Sequence, residues 1–172
     1  MNEDRSDFNN SLLIKIVTFL RGIGIEVVPA DPDHATGIEV NSGRLLVDEN
    51  KLIYPGDLLH EAGHLAVAPR DLRAGLSGKV ELPEVEMEPV EAQAMAWSYA
   101  VCCHLEIDPA IFFHAGGYKG PAASLLLNYK SGVCPGLSGL QQADMAASNA
   151  MVQTGARPFP QLLKWTRDLS RP

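Results

Sequence analysis

The feature that most constrains this chain is a pair of histidines four residues apart within one short apolar segment, Leu58-Leu59-His60-Glu61-Ala62-Gly63-His64-Leu65. Residues four apart lie on the same face of an α-helix, about 6 Å apart, so both imidazoles can bind one metal ion. Glu61 follows the first histidine and can reach water on that ion without being a ligand. Asp57 is predicted to cap the helix, which we expect to run from 58 to about 67 and to stop at Pro69. Its apolar flanks predict a buried and rigid site.

A catalytic zinc site needs a further ligand, because three protein ligands and a water are the usual arrangement. The metzincin pattern would add a third histidine, but the residues after His64 are Leu-Ala-Val-Ala-Pro-Arg, which excludes that subclass. A second helix is predicted from Pro89 to about Leu105. Glu91 lies on a mainly apolar stripe of this helix, where a carboxylate is costly unless it is paired or metal-bound. We predict Glu91 as the third ligand and Glu88 as the alternative, although a glutamate in a first turn also favours the helix dipole.

The whole chain, residues 1–172, is predicted to form one α+β domain. A first helix begins at Asn10 or Ser11 and ends at Gly22 or Gly24. Three short β-branched segments then predict a small, mainly antiparallel sheet packed on the histidine helix, at 25–28, 37–40 and 44–47. The core spans about residues 10–110. Residues 111–172 are predicted to form a mostly helical extension, and helices in this half of the chain are expected at 109–115, 121–130, 137–152 and 159–170.

Charge and cysteine content exclude several classes of partner. The chain has 14 Lys and Arg against 21 Asp and Glu, a net charge of −7, and an acidic surface repels phosphates. We therefore expect no nucleic-acid partner and no membrane partner. The first apolar run, 12–20, is short and contains Lys15, which is typical of an amphipathic helix and not of a signal peptide. Three cysteines without CxxC spacing indicate reduced thiols, so we expect a cytoplasmic protein.

These motifs resemble those of the gluzincins, and more narrowly those of the ImmA/IrrE-type metallopeptidases. The segment 58–64 corresponds to the first motif of that family, and Glu91-Ala92-Gln93-Ala94-Met95-Ala96 is similar to the second, with Gln93 where Asn is common. The resemblance covers about residues 10–110 and implies a zincin-like fold and regulatory cleavage of a peptide or protein substrate. The site residues that it implies are three zinc ligands, His60, His64 and Glu91, and one general base, Glu61.

The reaction expected of such a site is hydrolysis of a peptide bond by a metal-activated water. Zinc lowers the pKa of its water to about 7, and Glu61 takes the proton and passes it to the leaving amine. A further group stabilises the oxyanion, and the sequence offers five candidates without choosing among them: Arg70, Tyr99, His104, His114 and Tyr118. The Gly-rich segment 114–120 is predicted as a loop or as a lid over the substrate. The peptide is predicted to pair with an exposed sheet edge at 44–48.

Two other functions fit the same residues. One is a metal-binding regulatory or interaction domain that does not turn over peptides. The other is a metal-free helical interaction module in which the histidine pair arises by accident. Nickel or another divalent ion would also suit these ligand types, so zinc is the expected metal and not the only one the residues accept.

Overall fold

The structure, a computed structural model of the 172-residue chain, describes residues 7–31, 36–78, 89–118 and 121–168. Glu88, the alternative third ligand, lies outside the described residues. The helices of the first part of the chain are α1 (Ser11–Gly22), α2 (Gly56–Val67), the short α3 (Arg70–Arg73) and α4 (Val90–His104). The C-terminal half adds a 3-10 turn (Pro109–Ile111), α5 (Ala115–Tyr118), α6 (Ala122–Lys130), α7 (Leu137–Gln142) and α8 (Asn149–Gln153). The strands are β1 (Val27–Pro29), β2 (Ile38–Asn41) and β3 (Arg44–Val47), so the predicted α+β class is confirmed.

The three strands form a mixed sheet in the order β1-β3-β2. The hairpin predicted between β2 and β3 is confirmed, and Ser42 and Gly43 both have positive φ, 53° and 75°, as a two-residue turn requires. However, β1 pairs with β3 in parallel, with Val27 opposite Leu45, so the prediction of a mainly antiparallel sheet is wrong. The prediction of an exposed edge at 44–48 is also wrong, because β3 is the central strand and both of its edges are paired. Short β-branched segments predict strands but do not specify which ones pair or in which direction.

Helix α1 begins where the sequence predicts, at a side-chain cap. The Asn10 side chain accepts hydrogen bonds from the backbone N–H groups of Leu12 and Leu13. The Glu49 carboxylate, which follows β3, accepts hydrogen bonds from the backbone of Asn9 and Asn10. The start of α1 is thereby fixed to the end of the sheet.

The two long helices α2 and α4 pack against each other at the centre of the fold. The stripe predicted on α4 is buried only in its middle part, and there the structure also buries the other faces of the helix, between Gln93 and Cys102. Helix α7 covers one of these faces, and the Trp97 indole N–H donates to the backbone oxygen of Trp165, 2.8 Å away, on another. Trp97 itself has no exposed surface, so α4 forms the middle of the core.

Residues 159–168 pack on this core without forming a helix. The helix predicted at 159–170 is wrong over the described part, 159–168, and the helix predicted at 137–152 is divided into α7 and α8. Leu162 forms a β-bridge with Ala146, and the backbone N–H of Arg167 donates to the oxygen of Ala66 in α2. These backbone groups bond to neighbouring elements and not to their own helical partners, which explains why a helical apolar spacing fails here. Among the described residues, no helix combines the length and apolarity needed to cross a membrane.

Candidate metal centre

His60 and His64 on α2 meet Glu91 from the first turn of α4. The two Nε2 atoms are 3.1 Å apart, His60 Nε2 lies 3.4 Å from Glu91 Oε1, and His64 Nε2 lies 3.2 Å from Glu91 Oε2. Tetrahedral zinc with bonds of about 2.0–2.1 Å places neighbouring ligand atoms about 3.3–3.4 Å apart. The two imidazole nitrogens lie close to this spacing from each other, and each lies close to it from one oxygen of the Glu91 carboxylate, so the cluster could hold a metal ion. That His60, His64 and Glu91 act as metal ligands stays a prediction.

A close helix contact brings Glu91 to the two histidines. Gly63 lies inside the histidine motif, and a Cβ atom placed there would be only 2.9 Å from the backbone oxygen of Ala94 and 3.1 Å from Ser98 Oγ. Ser98 Oγ in turn lies 2.9 Å from the backbone oxygen of Leu59. The two helix backbones therefore touch one turn away from Glu91. Residues three apart share a helix face, so this contact directs Glu91 towards α2.

Burial differs across the three residues. The His64 side chain is only 11% exposed, whereas that of Glu91 is 54% exposed. Glu91 was predicted on a mainly apolar stripe where a carboxylate is costly, but its side chain is half-exposed, since α4 begins at the surface and becomes buried from Gln93 onwards. The histidine side of the cluster is enclosed, and its carboxylate side is open to solvent.

Burial shifts the pKa values of two groups in the histidine motif, His60 and Glu61. Burial lowers the pKa of His60, and Glu91 acts in the opposite direction. A neutral imidazole is the form that binds metal. Burial, together with the negative charges of Glu91 and Asp57, raises the pKa of the Glu61 carboxyl, and His64 opposes this shift. A carboxylate of raised pKa is a stronger base than an ordinary one, which suits proton transfer. The role of Glu61 as general base stays a prediction.

An open groove crosses the cluster and consists of two cavities that meet at His60 and Glu61. One cavity, of about 410 Å³, is bordered by the segment 51–54, Asp57 and Gly116. The other, of about 540 Å³, lies along β2 and reaches His64 and Glu91. Both cavities are thus in contact with the predicted base and with at least one predicted ligand.

The five candidates for oxyanion stabilisation have different surroundings in the structure. Tyr118 Oη lies 3.1 Å from Nδ1 of His60, on the ring edge opposite the Nε2 atom that faces Glu91. His104 packs against the rings of Phe19 and Trp165.

The other three candidates have different surroundings. Tyr99 is buried and stacks on Tyr129, and Arg70 is an exposed residue of α3. Asp57 is not the helix cap that the sequence predicts, because α2 begins at Gly56 and the Asp57 carboxylate binds Nε2 of His114 at 2.7 Å. The Gly-rich segment 114–120 contains the short helix α5, and Lys119 and Gly120 lie outside the described residues.

Sequence reasoning missed the structural roles of Gly63 and Ser98. A signal for Gly63 was available, because glycine inside a helix costs about 1 kcal/mol relative to alanine. Its presence in the middle of a well-formed helix therefore indicates a close backbone approach. Ser98 carried no comparable signal, since a serine on an apolar stripe commonly bonds to its own helix.

No protein-family model, curated protein or solved structure matches this chain.

Proposed function

We propose that this protein is a zinc-dependent hydrolase that cleaves peptide bonds. His60, His64 and Glu91 would hold the zinc ion, and Glu61 would act as the general base. The observation that carries the proposal is the convergence of the two imidazole nitrogens and the Glu91 carboxylate, with separations of 3.1–3.4 Å, next to an open groove. Catalytic zinc sites keep one position open for water or substrate, and sites with two histidines and one glutamate are an established type.

When bound, zinc supplies Lewis acidity that acidifies water and polarises a carbonyl group. The chain supplies the proton transfers. Glu61, which lines both cavities, accepts a proton from the attacking water and donates it to the leaving nitrogen of the peptide. Burial lowers the pKa of His60 and so favours its neutral form, which is the form that binds a metal.

The groove favours an extended peptide as the substrate. Strand β2 borders the cavity that contains His64 and Glu91, and it is an edge strand of the sheet. The opposite cavity has a wall that includes Ile53 and Tyr54, whose surfaces are 79% and 40% exposed. A peptide lying across His60 and Glu61 would place one of its side chains against this apolar wall. The resemblance to ImmA/IrrE-type metallopeptidases supports a substrate within a regulatory protein.

The experiment combines metal analysis with cleavage of a peptide library followed by mass spectrometry. The zinc-loaded wild type should contain one zinc ion per chain and cleave a subset of peptides. Glu61→Gln should keep the zinc and lose cleavage, because the amide cannot accept the proton. The matched control is Glu26→Gln, the same change at an exposed glutamate that pairs with Arg44 on the sheet, and it should cleave normally.

Three outcomes would contradict the proposal in different ways. Cleavage by Glu61→Gln at the wild-type rate would remove Glu61 from its role. A wild type that binds zinc but cleaves no peptide would favour the metal-binding domain without turnover. A wild type that binds no divalent metal would leave the histidine pair without a function.

A further inference from the structure

A hydroxyl group lies on the outer edge of the His60 ring. Tyr118 Oη is 3.1 Å from His60 Nδ1, while the other ring nitrogen, Nε2, faces His64 and Glu91. A neutral imidazole carries one proton, so binding of a metal through Nε2 leaves that proton on Nδ1. In this tautomer Nδ1–H donates a hydrogen bond to the hydroxyl oxygen of Tyr118. Such outer hydrogen bonds fix both the tautomer and the ring orientation of metal-binding histidines.

The turn that carries Tyr118 is anchored to the helix that carries His60. The backbone N–H of Gly117 donates to Nδ1 of His114, 3.1 Å away, so the proton of the neutral His114 ring is on Nε2. That nitrogen donates to Asp57 Oδ1 at 2.7 Å, in the first turn of α2. The His114 ring also stacks on Tyr54 with ring centroids 3.9 Å apart. Both ends of the contact between Tyr118 and His60 are therefore tied to the start of α2.

Aromatic packing holds the Tyr118 ring from the other side. Its centroid lies 5.4 Å from that of Phe112 and 5.5 Å from that of Phe113, both of which are buried. The packing of the Tyr118 ring therefore holds its hydroxyl group next to His60. By contrast, His64 Nδ1 is buried with no hydrogen-bond partner among the described residues. Within the described structure, the outer support of the two histidines is concentrated on His60.

We infer that Tyr118 is a positioning residue that fixes the His60 ring in the tautomer and orientation needed for metal binding through Nε2. The inference rests on the proposed metal site and adds a residue to it. It also assigns Tyr118 a role different from oxyanion stabilisation, because its hydroxyl contacts the ring edge that faces away from Glu91.

The test compares zinc affinity in three full-length proteins by competition with a chromophoric chelator. Tyr118→Phe keeps the ring and removes only the hydroxyl, and its zinc affinity should fall about 10- to 100-fold. The matched control is Tyr129→Phe, which removes the hydroxyl that donates to the backbone oxygen of Pro135 at 2.6 Å. This control should bind zinc as tightly as the wild type, although it also loses a tyrosine hydrogen bond.

A second measurement reports the hydrogen bond itself in the zinc-loaded wild type. Nitrogen-15 NMR of the imidazole rings should show His60 protonated on Nδ1, with slow exchange of that proton with solvent. In zinc-loaded Tyr118→Phe the exchange should become fast. This readout is specific for the contact, since a general loss of stability would not single out the His60 proton.

The outcomes separate this inference from the proposed function. If zinc binds the wild type and Tyr118→Phe with equal affinity, the positioning role is overturned and the metal site stands. If the His60 Nδ1 proton of the wild type exchanges fast, the role is overturned even where the variant folds poorly. If the wild type binds no zinc, the metal site fails and the inference fails with it.

Discussion

Replacing Gly63 by alanine should separate α2 from α4 and weaken metal binding. The added Cβ would lie 2.9 Å from the backbone oxygen of Ala94, whereas ordinary contacts of a Cβ atom begin at 3.4 Å. A backbone oxygen cannot rotate away, so α4 has to move by about the missing half ångström. Glu91 lies one turn before Ala94 and moves with it. Zinc sites tolerate deviations in bond length of only about 0.2 Å.

The size of the effect follows from packing energies. Inserting a methyl group into a packed contact costs about 1–3 kcal/mol. Alanine inside a helix stabilises it by about 1 kcal/mol relative to glycine, so the net decrease in the free energy of unfolding should be about 0–2 kcal/mol. If α4 shifts to relieve the contact, zinc has to restore the original helix spacing when it binds. The zinc affinity should then fall by about 5- to 150-fold, the equivalent of 1–3 kcal/mol.

The assay is chelator competition for zinc affinity, with urea unfolding of the metal-free protein for stability. Gly22→Ala is the matched control, because the same methyl group at the end of α1 meets nothing within 4 Å. This control should leave zinc affinity unchanged and raise the stability by at most about 1 kcal/mol. The reasoning would be refuted if Gly63→Ala bound zinc as tightly as the control and gained the same stability.

Two further predictions concern the surroundings of the site. The Arg73 guanidinium donates to the backbone oxygens of Leu65, Ala68 and Arg167. Arg73→Met removes these hydrogen bonds and should lower the free energy of unfolding in urea by about 1.5–3 kcal/mol. A loss below about 0.5 kcal/mol would contradict this prediction. Burial raises the pKa of Glu61, so carbon-13 NMR of the metal-free protein should show the carboxyl group titrating above the ordinary value of 4.5. Binding of zinc should lower this pKa, because a nearby cation favours the carboxylate. Since the pKa of the folded state is the higher one, the contribution of Glu61 to stability is present below 4.5 and is lost as the pH rises through the folded-state value. A titration at or below 4.5 without metal would be the contrary result.

Local signals in the sequence were enough to locate the main helices. Asn10 marks the start of α1 through a side-chain cap, and Pro89 immediately precedes α4. The ends of these helices depend on residues within one or two turns, which a sequence displays directly. The spacing of His60 and His64 likewise places both on one face of α2, whatever the rest of the fold does.

Features set by distant contacts could not be predicted. The parallel pairing of β1 with β3 depends on how the chain crosses between them, and no residue within either strand specifies it. Asp57 has the side chain of a helix cap, but His114, 57 residues away, takes its carboxylate. Residues 159–168 have helical apolar spacing, yet their backbone groups bond to α2 and to the neighbourhood of Met145. In each case a tertiary partner competes successfully with the local preference.

Glu91, the predicted third ligand, is intermediate between these two cases. The sequence indicated Glu91 because a carboxylate on an apolar helix stripe needs a partner. The structure gives a different physical reason, because the Glu91 side chain is half-exposed and is directed to the histidines by the contact of Gly63 with α4.

X-ray absorption at the zinc edge of the loaded protein would show directly whether His60, His64 and Glu91 bind the ion. We expect a four-coordinate ion with two imidazole nitrogens at about 2.0–2.1 Å and oxygen ligands at about 2.0–2.2 Å. One of these oxygens should belong to Glu91, so Glu91→Ala should change the spectrum and weaken zinc binding. A sulfur ligand at about 2.3 Å, or a spectrum that Glu91→Ala leaves unchanged, would rule out this set of ligands.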